Sequence, residues 1–187
     1  MKILIIDIFR TVRDSFPQGF TLAVFLTMAT EYLKNKSLKN YFNSLNNRQN
    51  RLYIYLITYA YTVAYRTLLC REATYAPFSK IWQDWGVAPR SDGSGITIEL
   101  FPILGNTLMF TVLIIPVLMC FWHKLKSEKY ILLKCTVLSF LLSMLIELTQ
   151  AVTCRGTFQI SDLVYNTLGG FIGCLIFTKL IHSKKST

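Results

Sequence analysis

The sequence predicts an all-α fold: a polytopic membrane helix bundle of about five transmembrane helices, with an interfacial N-terminal segment and a long extracellular loop between helices two and three. Three observations carry this. Of 187 residues, 52% are hydrophobic and only 16% charged, where an average soluble chain has roughly 25% charged residues. The apolar residues gather in runs close to the ~20 needed for a helix to cross the hydrocarbon layer. Lysine and arginine, 20 against 10 acidic residues, lie mostly between those runs. Such a chain is neither disordered nor a secreted disulfide scaffold. Its basic excess marks loops that face anionic lipid rather than a nucleic-acid surface.

The elements follow in order. Ile3 to Phe9 is too short to cross and is interrupted by Asp7, so it reads as an interfacial helix rather than a signal peptide or anchor. Arg10, Arg13 and Asp14 would then lie in the headgroup layer. Phe16 to Leu33 is a first span that opens on Phe16-Pro17-Gln18-Gly19, a sequence that breaks a helix or begins one. Leu52 to Cys70, Leu100 to Trp122, Tyr130 to Gln150 and Leu163 to Ile181 are four clearer spans. The chain thus divides into an N-terminal unit over 1–51, a membrane domain over 52–181 and a tail over 182–187.

The connection from Arg71 to Glu99 is longer than ordinary helix connections, which makes it a functional segment or a disordered one. Its aromatic half, Tyr75 to Trp85, has the composition of a segment at headgroup depth, and Ser91 to Gly95 reads as a flexible turn. Of five cysteines, Cys120, Cys135 and Cys174 lie within apolar runs and serve as small hydrophobes. Cys70 and Cys154 fall on one side of the membrane, but spacing alone does not make them a bridge.

Basic residues in short loops set orientation. Lys34, Lys36, Lys39, Arg48 and Arg51, then Lys124, Lys126 and Lys129, then Lys179, Lys184 and Lys185 fall in alternate connections, which places those segments and the C-terminus in the cytoplasm. Arg71 to Glu99 and the loop with Arg155 are then external. Five spans leave Lys2, Arg10 and Arg13 outside, against the rule. Either the first run is re-entrant or the later loops outvote it.

Polar residues within spans must face protein or water and are functional candidates. On this orientation Arg66, Glu99, Asn106, Glu147, Gln150, Arg155, Asp162 and Asn166 come from different helices yet share the outer third of the membrane. Glu147 and Gln150 are spaced i, i+3, and Asp162 and Asn166 i, i+4, so each pair shares a helix face. The plainer reading is a self-neutralising network in which Arg66 and Arg155 pair with Glu147 and Asp162. Against it, an intramembrane charge costs about 2.5 to 3.5 kcal/mol on insertion scales, whereas an interhelical polar contact returns only about 0.6 kcal/mol. An outward-facing wet cavity explains the cluster better. Gly169, Gly170 and Gly173 beside Asn166 point to close helix packing.

Both histidines, His123 and His182, map to the cytoplasmic side, so the cluster has no imidazole for base, nucleophile or ligand work. Neither a metal nor a cofactor is expected, although Glu99, Glu147 and Asp162 offer oxygen ligands in principle. Glu147 with Asp162 are candidate catalytic carboxylates, but Arg66 and Arg155 better suit a clamp on an anionic group. In that clamp Asn106, Gln150 and Asn166 would orient the group.

The order Tyr65-Arg66, Ala76-Pro77-Phe78, Gly105-Asn106 with Phe110, Glu147-Leu148-Thr149-Gln150, Arg155, and Asp162-Leu163-Val164-Tyr165-Asn166-Thr167-Leu168-Gly169-Gly170 with Gly173 resembles the VanZ-like family over about Leu52 to Ile181. The resemblance implies a multi-pass bacterial plasma-membrane protein of the Gram-positive kind, with a link to resistance against teicoplanin and related lipidated glycopeptides. Its partners would be membrane lipids, a lipid-linked cell-wall precursor or the lipoglycopeptide itself. Two alternatives stay open: a membrane hydrolase or transferase acting on a lipid-linked substrate, and a small transporter or scaffold whose polar network is structural.

Overall fold

Apolar side chains cover the outside of this chain. Along one helix Leu133, Val137, Leu141, Leu145, Leu148 and Val152 are all exposed, while the inward face of the same helix carries Ser139, Ser143, Glu147 and Gln150. A polar interior beneath an apolar surface is the arrangement that lipid as solvent selects.

The computed structural model describes residues 2–36, 45, 47–89, 96–125 and 130–183. The Ser91–Gly95 run, the basic residues Lys39, Lys126 and Lys129, and the tail residues Lys184 and Lys185 lie outside the described residues. The elements are α1 (Lys2–Asn35), α2 (Arg48–Ala64), a π-turn (Tyr65–Leu69), β1 (Val87–Pro89), β2 (Ile96–Ile98), α3 (Leu100–Leu125), α4 (Ile131–Thr153) and α5 (Ile160–Ser183). Three helical stretches, Pro102–Trp122, Ile131–Thr153 and Ile160–Leu180, are long and apolar enough to cross a membrane.

The N-terminal segment corrects the sequence expectation. There is no separate interfacial helix before a first span: residues 2 to 35 form one helix of 34 residues with Pro17 inside it. Proline removes one backbone donor, and the packing of α1 along α2 holds the helix together on both sides of that gap. Ser15, fully buried, donates to Thr11 O at 2.7 Å and reaches Thr62 Oγ1 at 3.1 Å. The Tyr61 hydroxyl donates to Gln18 Oε1. A Cβ on Gly19 would stand 2.9 Å from Tyr61 Cδ1, so the glycine that reads as a breaker is a point of close helix approach.

α3 and α5 pack most intimately. A Cβ on Gly169 would meet Thr107 O at 2.2 Å, and one on Gly173 would meet Ile114 Cγ2 at 2.3 Å. The Thr111 hydroxyl donates to Gly169 O at 3.0 Å across this contact. Gly170 faces the other way, where a Cβ would fall 1.8 Å from Ser139 Oγ of α4. The three glycines therefore bring three helices to one line. Below them Ile114, Leu118, Cys135, Cys174 and Phe177 form an apolar core.

The described residues of the connection between α2 and α3 form a cap that includes a two-stranded antiparallel sheet, in which Val87 pairs with Ile98. Its first half is laced to the α4–α5 linker. Thr74 N–H donates to Cys154 O at 2.8 Å, Phe158 N–H to Pro77 O at 2.8 Å, and Ile160 N–H to Ile81 O at 3.1 Å. Cys154 ends α4 in the left-handed conformation at φ 52°, and Arg155 N–H closes the cap onto Gln150 O at 3.0 Å. The cap thus sits where α2 and α4 end and where α1, α3 and α5 begin.

Candidate functional site

At the cap end the polar residues sort into two groups. The first is closed. Glu147 and Gln150 are each 1% exposed and Asn166 2%. Glu147 accepts the Gln159 backbone N–H at 2.7 Å, Gln150 Nε2 donates to Thr67 O at 2.8 Å, and Asn166 Nδ2 donates to Ser143 Oγ at 2.9 Å. The Thr67 carbonyl lies within the π-turn that Cys70 N–H closes onto Tyr65 O at 2.8 Å. The wider turn changes the ordinary i to i+4 pairing there, and Gln150 uses the carbonyl to join α4 to α2.

The second group lines an open cavity of about 710 Å3 between α1, α2, α3 and the cap. Asn106 Nδ2 donates to Asp162 Oδ1 at 2.6 Å, and Arg71 approaches the other oxygen of Asp162 at 3.7 Å. Arg66 is held by Asp7, with contacts of 2.6 and 3.2 Å. Gln159 donates its side-chain amide to Asp84. Lys80 and Glu99 complete the charged lining. Deeper in, the wall is apolar, formed by Ile8, Val12, Val63, Leu108, Met109 and Val112 with the ring of Tyr59. Tyr59 donates its hydroxyl to Met109 O at 3.1 Å.

Of the residues singled out from the sequence, Arg66, Glu99, Asn106 and Asp162 reach the cavity. Glu147, Gln150 and Asn166 belong to the closed group and are absent from the lining. Arg155 is exposed on the α4–α5 linker, pairs through its backbone with Ala73, and is absent from the lining. The arginine beside Asp162 is Arg71, which the sequence reading left in a loop. Asp7, Lys80, Asp84 and Gln159 were missed as well. Asp7 carried a signal, since a lone carboxylate inside an apolar run needs a partner. Arg71, Lys80 and Asp84 carried none, because only the folded cap brings them over the bundle.

The chemistry follows from this sorting. Asp162 is on the cavity lining and Glu147 is not, so only one of the two candidate carboxylates borders the open space. Among the described residues, no three His, Cys, Asp or Glu side chains converge as a metal-holding group. His123 and His182 belong to the opposite ends of α3 and α5 from the cavity. The cavity lining thus carries three cations, Arg66, Arg71 and Lys80, four carboxylates, Asp7, Asp84, Glu99 and Asp162, and an apolar extension.

A family model described as VanZ/LLP1 matches residues 20–182, a stretch that holds every charged cavity residue except Asp7. No curated protein and no solved structure matches the chain.

Proposed function

We propose a function on the premise that the chain belongs to the VanZ/LLP1 family: it is a five-span protein of the bacterial plasma membrane whose outward-facing cavity binds the headgroup of a cell-envelope lipid or lipid-linked precursor. By holding or sequestering that molecule it lowers the access of lipoglycopeptides of the teicoplanin type to the cell surface.

Helix length supports five crossings. α1 extends ~51 Å and α2 with its π-turn ~33 Å, against ~30 Å of hydrocarbon. The exposed faces of α1, including Phe9, Phe16, Phe25 and Leu33, suit lipid. A cytoplasmic far end agrees with Lys34, Arg48 and Arg51 there and puts the cap, with exposed Tyr75, Phe78 and Trp82, at the outer headgroup layer.

The observation that carries the proposal is the composition of the cavity along its depth. Charged and amide groups cluster under the cap, and side chains such as Val63, Met109 and Val112 continue the wall toward the bilayer centre. A headgroup would meet Arg71, Asn106 and Asp162, while the first part of its acyl chain would run along the apolar wall. Binding is favoured over catalysis because Glu147, one of the two candidate carboxylates, is occupied by the Gln159 N–H and lies off the cavity.

The test is the lipid that stays with the full-length protein after purification in mild detergent, identified by native mass spectrometry. A retained envelope lipid is expected, depleted by Met109→Trp, which fills the apolar wall, and by Arg71→Ala. Cells expressing the native chain should bind less fluorescent teicoplanin than cells expressing Met109→Trp. Lipid retention equal in all three proteins would overturn the reading.

A further inference from the structure

The charges that line the cavity say more than that a lipid binds. Two of the four carboxylates are already answered: Asp7 holds Arg66, and Asp162 faces Arg71 at 3.7 Å. Asp84 accepts the Gln159 amide. Lys80 and Glu99 are of opposite sign, both exposed and both on the lining. Among the described residues neither has an ion-pair partner within 4.0 Å.

A headgroup carrying only a phosphate would be attracted by Lys80 and Arg71 but repelled by Glu99 and Asp84. A headgroup carrying only an amine meets the reverse. Since Lys80 and Glu99, both lining charges without an ion-pair partner among the described residues, are of opposite sign, neither sign alone is complementary, and like charges brought together without a partner cost binding. A headgroup with both charges satisfies both sets at once.

Resting on the reading of the cavity as an envelope-lipid site, we infer that it selects a zwitterionic amphiphile, one whose headgroup joins a phosphate to a protonated primary amine. The phosphate is taken on the side of Lys80 and Arg71 and the amine on the side of Glu99 and Asp84. The apolar wall requires an attached chain, so the free headgroup is a poor ligand.

The experiment titrates the delipidated full-length chain in detergent with phosphatidylethanolamine, phosphatidylglycerol, a dialkyl trimethylammonium lipid and soluble glycerophosphoethanolamine. Phosphatidylethanolamine is expected to bind about tenfold more tightly than either singly charged lipid, and the soluble headgroup to bind weakly. Glu99→Lys should reverse the preference toward phosphatidylglycerol. Lys80→Gln should weaken phosphatidylethanolamine about fivefold. Both positions are exposed, so the thermal melt of each variant should match the native one. Equal binding of phosphatidylethanolamine and phosphatidylglycerol, unmoved by Glu99→Lys, overturns the zwitterion inference and leaves a lipid site standing. If no lipid binds at all, the lipid-site reading itself falls.

Discussion

Asp7 of α1 and Arg66 of the π-turn after α2 meet side by side, carboxylate to guanidinium, with contacts of 2.6 and 3.2 Å across 59 positions of sequence. The pair explains how a charged residue is tolerated within each apolar stretch. It also fixes the N-terminal turns of α1 against the wall of the cavity, so that Ile8 and Val12 become part of its lining.

Removing one partner of this ion pair should therefore loosen α1. Its side chains are 37% and 27% exposed, so solvent screens the attraction and the coupling energy expected from an Asp7→Asn, Arg66→Gln double-mutant cycle is about 1 kcal/mol. Thermal unfolding in detergent measures it. The swap Asp7→Arg with Arg66→Asp should recover most of the loss, whereas either single change should not.

Gly170→Ala and Gly169→Ala should both destabilise, by about 1 to 3 kcal/mol, but should differ in rescue. The obstacle at 170 is the side chain of Ser139, with its Oγ at 1.8 Å, and at 169 it is the backbone oxygen of Thr107, at 2.2 Å. Adding Ser139→Gly is expected to restore the melting temperature of Gly170→Ala substantially. No side-chain truncation on α3 should do so for Gly169→Ala.

Glu147 holds the start of α5 through the Gln159 N–H. Glu147→Gln keeps a carbonyl acceptor and should leave lipid retention close to native. Glu147→Leu leaves a buried N–H without its acceptor and should cost about 1 to 3 kcal/mol in stability. A Glu147→Gln protein that folds normally yet loses turnover of a lipid-linked substrate would restore the catalytic reading. Arg155→Ala, outside the cavity, should also leave retained lipid unchanged.

Cys70 and Cys154 are exposed near the cap, and Cys120, Cys135 and Cys174 are buried. A membrane-impermeant maleimide applied to intact cells is expected to label Cys70 and Cys154 together and to spare the other three, as judged by mass shift against Cys70→Ser and Cys154→Ser. Labelling only after permeabilisation would turn the bundle over and place the cap inside. Labelling one of the two in intact cells would contradict their common end.

The membrane character and the helices near 100–122, 130–150 and 163–181 were legible from the sequence because they rest on a local property, apolar run length. Pro17 and Gly19 misled, because a local rule about helix breakers does not register the α2 surface that holds α1 continuous. Which polar residues face the cavity was beyond local rules as well. Asn106 and Asp162, bonded to each other, are on the cavity lining, whereas Gln150 and Asn166, equally polar and at the same end, are bonded to Thr67 and Ser143 and are not.

By itself, the sequence determined that this chain lives in lipid and that its costly polar groups concentrate toward one end. The tertiary structure alone decided which groups pair and which stay available. An ion pair such as Asp7 with Arg66, or the approach of Arg71 to Asp162, depends on the path of the backbone through the π-turn and cap. That path is settled by hydrogen bonds between segments distant in the chain, such as Thr74 to Cys154 and Phe158 to Pro77, and no periodicity records them.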